Sequence, residues 1–594
     1  MATAEILAED VRWDLTELCA DAEAARTTWA ELVKSCGALA ERYRGRIADL
    51  SAGELRQLLD ELDEIEQETS RVQVYSWARV NIEVTDTEAN DLMTVARDRG
   101  TEIENLLVFI ELEWIALEDG KADALLAAAE LAPYAHKLAV ARAQKPYVRS
   151  EPEEQALNTR APAIAAWQTL HDRQTGTLEI PFDAGDGVEP HTLAKLLSYV
   201  HRPERDLRIR SLEALYAALE PRADVQAAAY DALVGDRLAT DRLRGYPSSM
   251  RPTNMMNELD DEAVEAMLVA IEESYPIAHR WWTAKARTLG LDKLLLADQY
   301  APVGEARAFS WDEAVAIVDA AFERFAPPTA EIFRTCIESG HVDAPSVPGK
   351  TSGAYCSTVT RSILPLVFLN FTGRARDVST LAHEFGHATH DALALRRQTF
   401  RSHRTGLAIG EVPSMFAELV TQDYVLGVET DAETQKVLAA ERLEDAFAGI
   451  FRQTVLARFE VDAYRLRGEG STLTAERLSE IWVDCNVRWY GDVLELPEGY
   501  RLGWTYIPHF IHFRFYTYAY SFAQLVALLL FRRYKEDPAV FTPRYLDLLG
   551  TGGAASPAQL LEPLGVDLRS PETWRDAFAE LDALCDRAVT LLTQ

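Results

Sequence analysis

The segment His383-Glu-Phe-Gly-His387 sets two imidazoles four residues apart, with a carboxylate beside the first. On a helix of 3.6 residues per turn the two rings fall about 40° apart on one face, and Glu384 stands about 100° from His383. Such a helix can hold one metal ion between its histidines and keep a carboxylate beside it as a base. Leu381-Ala382, Phe385-Gly386 and Ala388 are apolar or small, so the helix is expected to be buried. The run Leu364 to Phe371 before it is apolar and partly β-branched, and reads as a strand. Thr372-Gly373 suits a turn and Asp377 an N-cap. The helix should then start near Val378, pass through His383, His387 and His390, and end near Leu395, where Arg396 and Arg397 suit a C-terminus.

A catalytic zinc takes three protein ligands and keeps a fourth position for water. The spacing His-Glu-x-x-His-x-x-Gly-x-x-His would supply a third histidine, but positions 390 and 393 are His and Leu. A carboxylate from a second helix remains, and Glu411-Val-Pro-Ser-Met-Phe-Ala-Glu418 offers two on one face. Pro413 fits a first helical turn, which favours Glu411 as the ligand and Glu418, two turns on, as a group orienting a ligand from behind. Two neutral imidazoles and one carboxylate leave a positive centre that lowers the pKa of its water to about 7. Glu384 is placed to take that proton and return it to a leaving amine, so the pattern points to peptide-bond hydrolysis.

Several separated segments resemble the oligoendopeptidase F and thimet-oligopeptidase group of zinc peptidases. They are Leu381 to His387 with His390, Glu411-Val-Pro-Ser414, Lys350-Thr-Ser-Gly-Ala-Tyr-Cys356, Tyr506-Ile-Pro-His-Phe510, the opening Trp13-Asp-Leu15 and the closing Gly552-Gly553 through Gly565-Val-Asp567. Phe385 departs from the Leu common at that place in the bacterial branch, an apolar exchange. The resemblance implies one Zn2+ per chain on His383, His387 and Glu411, with Glu384 as the base and Glu418 and His390 supporting the ligands. It also implies an endopeptidase acting on short unstructured oligopeptides that enter a deep channel between two regions. His509, Tyr516 and Tyr520 would act against the substrate.

Helical spacing supports that last assignment if Pro508 to Tyr520 is helical throughout. His509, His512, Tyr516 and Tyr520 then share one face and Tyr518 points the other way. A packed aromatic stripe would have the same spacing. Lys350 to Ser357 and the 364–371 strand read as a small antiparallel unit beside the zinc-binding helix. Its edge, at Gly353, Ala354 and Tyr355, either binds extended peptide through the backbone or only supports the helix. His512 is the remaining candidate for substrate contact.

Elsewhere the apolar period is helical, as in Asp261 to Tyr275, so the fold expected is mainly α, a large multi-helix protein with few strands, near 177–182 and 354–371. Pro181, Gly185, Gly187 and Pro190 mark the best boundary, dividing an N-terminal helical domain (1–190) from a catalytic domain (191–594), and Thr551-Gly552-Gly553 reads as a mobile loop. The formal charge of −34 repels phosphates and anionic headgroups, which excludes nucleic acid and membrane surfaces as partners. The opening residues lack a basic start and an apolar stretch, and the six cysteines are scattered, so a cytoplasmic protein is expected, its oligomeric state open. Two rival functions use the same residues. A carboxypeptidase or dipeptidyl carboxypeptidase would need a cationic clamp, for which Arg514 is the candidate; a non-catalytic peptide-binding relative would have no need of Glu384.

Overall fold

The computed structural model describes residues 7–593, a mainly α-helical chain with three small sheets among those residues. It forms two compact units, each drawn from three stretches of sequence. The first gathers Met1–Lys145, Arg307–Val428 and Leu530–Asp567, and the second Pro146–Ala306, Glu429–Leu529 and Leu568–Gln594. The 181–190 stretch, expected to be a boundary, lies inside the second unit as a hairpin pairing Ile180–Asp183 with Val188–His191. Gly185 and Gly187 take positive φ there, and both donate to the Asp183 carboxylate (2.8 and 3.1 Å), so its turn residues close a hairpin.

In the first unit α1 (Ala22–Tyr43), α2 (Ala52–Ile82) and α3 (Thr87–Ala116) pack together. Each begins at a side-chain cap: Asp21 accepts from Ala24 N, Ser51 and Glu54 cap reciprocally, and Asp86 accepts from Ala89 N. Their apolar faces share a core with a three-stranded sheet made of β1 (Val342–Pro345), β2 (Tyr355–Ser357) and β3 (Leu366–Phe371). β3 is central, parallel to β1 and antiparallel to β2. Trp13 closes this core: its Nε1 donates to His341 O (3.1 Å) and its ring lies against Phe368.

The sheet is therefore mixed, where a purely antiparallel pair was expected. β1 escapes a reading by pattern because His341-Val-Asp-Ala-Pro345 carries an aspartate and a proline, both uncommon in strands. It is buried because Lys350 neutralises Asp343, with Nζ 2.6 Å from Oδ1 and both side chains at most 1% exposed. Lys350 Nζ also donates to the carbonyls of Pro345 (2.7 Å) and Leu369 (2.6 Å), tying the end of β1 and the central strand β3 to one cation.

α4 (Trp311–Phe325), α5 (Pro327–Glu338), α6 (Ala375–Arg397) and α7 (Val412–Val428) complete the part of the unit that carries the histidines. α6 starts three residues earlier than expected. Asp377 sits in its first turn, and its Oδ2 accepts from Thr372 N (2.6 Å) and Arg374 N (3.1 Å), so it caps from inside the helix. Phe385 is fully buried and meets Phe333 of α5 edge to face at 4.5 Å, which accounts for an aromatic at that position. Gly552-Gly553, expected to be a mobile loop, is buried; a Cβ at Gly552 would lie 2.6 Å from His403 O.

The second unit is helical around an aromatic core in which Tyr230, Phe459, Trp482 and Phe510 touch one another. Among the described residues no helix is long and apolar enough to cross a membrane.

Breaking a buried ion pair from one side leaves an uncompensated charge. Lys350→Met should therefore destabilise the protein by about 3–5 kcal/mol in denaturant unfolding. An unchanged midpoint would show that Asp343 does not depend on this cation.

Candidate metal centre

α6 carries His383 and His387 on one face, their ring centroids 5.0 Å apart. Glu411, the residue before α7, brings its Oε2 to 3.6 Å from His383 Nε2 and 3.4 Å from His387 Nε2. Four ligands at about 2.0–2.1 Å from a tetrahedral zinc stand about 3.3 Å apart, so these three donors have the spacing that one ion requires. Three carboxylates, Glu384, Glu411 and Glu418, bear on the two imidazoles, and such an excess of negative charge suits a dication.

Gly386 explains how α7 comes so near. A Cβ there would lie 2.5 Å from Ser414 Cα and 2.6 Å from Pro413 O, so the two helices cross backbone against backbone between the histidines. Pro413 in the first turn of α7 sacrifices no helical hydrogen bond. Ser414 Oγ donates to Glu411 O (2.8 Å) and Oε2 (3.2 Å), which aims the carboxylate; the sequence reading omits this role. Gln422 donates to Ser379 Oγ (3.1 Å) farther along the crossing.

Glu418 lies behind the pair, its Oε1 2.6 Å from His383 Nδ1. With Nδ1–H donating to that carboxylate, Nε2 keeps its lone pair for a metal. Glu411 is held below the usual carboxylate range: burial opposes ionisation, but the bond to His387, both imidazole charges and Ser414 outweigh it. Glu384 is 5% exposed and shifts the other way, burial pushing its carboxyl up against the pull of His383 and His387.

His390 makes no hydrogen bond to a ligand candidate. It is buried, its Nε2 has no partner among the described residues, and burial lowers its pKa to about 3, so it stays neutral. Asp391 is the acid the sequence reading omits. It lies one turn beyond His387, bonds to the Thr358 hydroxyl, and is pushed up by burial while Thr358 and the His387 charge oppose the shift. Its i,i+4 spacing from His387 is the signal that could have found it.

The edge strand β2 runs beside α6. Gly353 before it is exposed at φ +96°, and Asn370 Nδ2 holds the loop by donating to Thr351 O (2.9 Å) and Gly353 O (2.8 Å). Ala354 follows, half-buried. The Tyr355 ring is sandwiched between Trp77 (4.4 Å) and Phe368 (4.8 Å), so it serves packing and leaves only its backbone for a ligand.

In the second unit, Pro508 to Tyr520 is not one helix. Pro508–His512 is a short helix, Phe513 is extended, Phe515 has φ +48°, and the next helix begins at Tyr518. His509, Tyr516 and Tyr520 still converge, with centroids 5.9, 6.2 and 5.4 Å apart. His512 departs from them, its Nε2 2.8 Å from Asp172 Oδ1. Tyr518 is fully buried and accepts from Asn257 Nδ2 (3.1 Å). Burial lowers the His509 pKa, aided by the Arg452 charge. Arg514 is paired with Asp241 at 2.8 Å.

The sequence pattern of peptidase family M3 matches residues 198–580, and that of oligopeptidase F matches 113–179. The chain belongs to peptidase family M3. It is thereby a metalloendopeptidase acting on oligopeptides. This M3 peptidase is 25% identical to oligopeptidase PepF of Bacillus subtilis over 99% of its own length and 88% of the relative's. It is also 25% identical to group B oligopeptidase PepB of Streptococcus agalactiae, covering 96% and 95%. Two solved structures share the fold. That of a Chlamydophila abortus protein has TM-score 0.87 and 23% identity, covering 99% of both chains. That of oligoendopeptidase-F from Enterococcus faecium has TM-score 0.72 and 18% identity, covering 95% of this chain and 98% of the other.

In this M3 peptidase the helix crossing leaves no room for a methyl group at Gly386. Gly386→Ala should cost about 1–3 kcal/mol in chemical unfolding as α7 is pushed away. A variant as stable as the parent would show that the crossing tolerates the displacement.

Proposed function

We propose that this M3 peptidase is a zinc-dependent oligoendopeptidase that cuts internal bonds of short, unstructured peptides. The 3.4 and 3.6 Å spacing of Glu411 Oε2 from the His387 and His383 Nε2 atoms, with Glu384 alongside, carries the reading. His383, His387 and Glu411 would hold one Zn2+, which when bound polarises a carbonyl and makes water more acidic. Glu384 takes the proton of the attacking water and passes it to the leaving amine, and burial pushes its carboxyl in the direction that favours holding the proton between the two transfers. Glu418 fixes His383 in the tautomer that presents Nε2. The backbone of Gly353, Ala354 and Tyr355 pairs with an extended peptide as an added strand. His509, Tyr516 and Tyr520 are assigned as donors to the charge that develops on the carbonyl oxygen.

Internal cutting is favoured over release of terminal residues because Arg514, the candidate clamp for a terminal carboxylate, is taken by Asp241. The six cysteines are free thiols, which supports a cytoplasmic working place. The charge of −34 supports peptides, without nucleic acid or membranes, as the partners.

An internally quenched octapeptide, with product masses read directly, tests this. The zinc-loaded parent should cut an internal bond, and a chelator should abolish cutting until zinc is restored. Glu384→Gln should keep its zinc and lose about 10²–10⁴-fold in kcat. Glu411→Gln should lose zinc, whereas Glu418→Gln should bind it about 10–100-fold more weakly. Release of terminal residues by the parent would reverse the endopeptidase reading. Metal retained by Glu411→Gln and lost by Glu418→Gln would exchange the two glutamates.

Tyr520→Phe should lower kcat with zinc content unchanged, and full turnover would return that ring to packing.

A further inference from the structure

The helix break that carries Tyr516 is held from beneath by buried polar groups for which the reaction has no direct use. Phe515 adopts φ +48°, a left-handed conformation that costs a bulky residue about 1–2 kcal/mol. Its N–H donates to Glu460 Oε2 at 3.0 Å. Glu460, on the Gln453–Gly468 helix, is 0% exposed, and its Oε1 has no hydrogen-bond partner among the described residues. Arg237, on the Ala223–Arg244 helix, secures the other side of the break. It donates to Ile511 O (2.7 Å), Phe510 O (3.1 Å) and Tyr464 OH (3.1 Å). Arg514 is tied to Asp241 of that same helix, and the Phe515 ring rests on Tyr464 at 4.7 Å.

Neither arginine forms an ion pair with Glu460, so its one hydrogen bond is to the strained residue itself. A buried carboxyl with a single bond adds little stability, and an apolar residue of the same volume would often serve as well. A need for an acceptor at this point accounts for its presence.

We propose that Glu460 is a positioning residue: it holds Phe515 in the left-handed conformation and thereby sets where Tyr516 and Tyr520 stand against His509. This rests on the assignment of those three side chains to the peptide.

Burial pushes the Glu460 carboxyl up to about 8, while the Phe515 N–H and the charges of Arg237 and Arg514 oppose the shift. Tyr230 and Tyr464 also face it, and Asp241 lies beyond Arg514. The group is thus neutral at pH 7, and glutamine imitates it. Because the folded pKa is raised from 4.5 to about 8, the stability it contributes is complete below about pH 4.5 and is lost as pH rises to about 8.

The experiment uses the full-length zinc-loaded enzyme with E460Q, E460M, E460D and Y520F. E460M keeps the volume and removes the acceptor, so kcat should fall at least about tenfold with zinc content unchanged and KM little altered. E460Q should stay within about threefold of the parent, and its Tm should gain on the parent's between pH 5 and pH 8. Parental kcat in E460M while Y520F is impaired would overturn the proposal and leave the cluster's role standing. Parental kcat in both would remove the two together. If E460M does not fold, E460D decides, since its carboxyl falls one methylene short: lost turnover supports the holding role and parental turnover overturns it.

Discussion

The constraint on which the site depends is the contact of α6 with α7 at Gly386. Two histidines four apart make only half a metal site; the third donor has to come from another helix, and its carboxylate is short. Glu411 reaches both imidazoles only because Gly386 lets the backbone of Pro413 and Ser414 come within van der Waals range of α6. The residues between the histidines therefore have separate tasks: Phe385 anchors the far face of the helix on Phe333, Gly386 admits α7, and Glu384 is the base of the proposed reaction.

Charges in each unit are held by a partner of opposite sign. Within the first unit Lys350 and Asp343 form a buried pair beside the edge strand, and within the second Arg514 is paired with Asp241. Glu418 is matched to His383. Glu384 has no cation of its own beyond the two imidazoles, so burial dominates its proton affinity. That difference fits the proposed roles, Glu418 orienting a ligand and Glu384 moving a proton.

Much of the centre was legible because helical spacing is a local rule. The four-residue interval of His383 and His387 and the seven-residue interval of Glu411 and Glu418 each set a pair on one face, and the buried flanks of α6 could be read from residue type. Where spacing assumed continuity it failed: the chain breaks at Phe515, His512 meets Asp172 in place of the tyrosines, and nothing near Phe515 in the sequence marks a left-handed residue. The left-handed turn depends on Glu460, some fifty residues earlier in the chain. β1 was illegible for a similar reason, since Asp343 is tolerable in a buried strand only once Lys350 is in place. Gly552-Gly553 has the composition of a mobile loop, but its glycines serve a close backbone approach. The two units are each assembled from three distant stretches, which no composition change along the chain could announce.

The most direct test of the helix-crossing account is X-ray absorption at the zinc edge of the zinc-loaded protein. Two imidazole nitrogens and one carboxylate oxygen at about 2.0–2.2 Å, with a water completing four-coordination and no sulfur, would match a site built by α6 and Glu411. A sulfur ligand, or a third imidazole in place of the carboxylate, would contradict it.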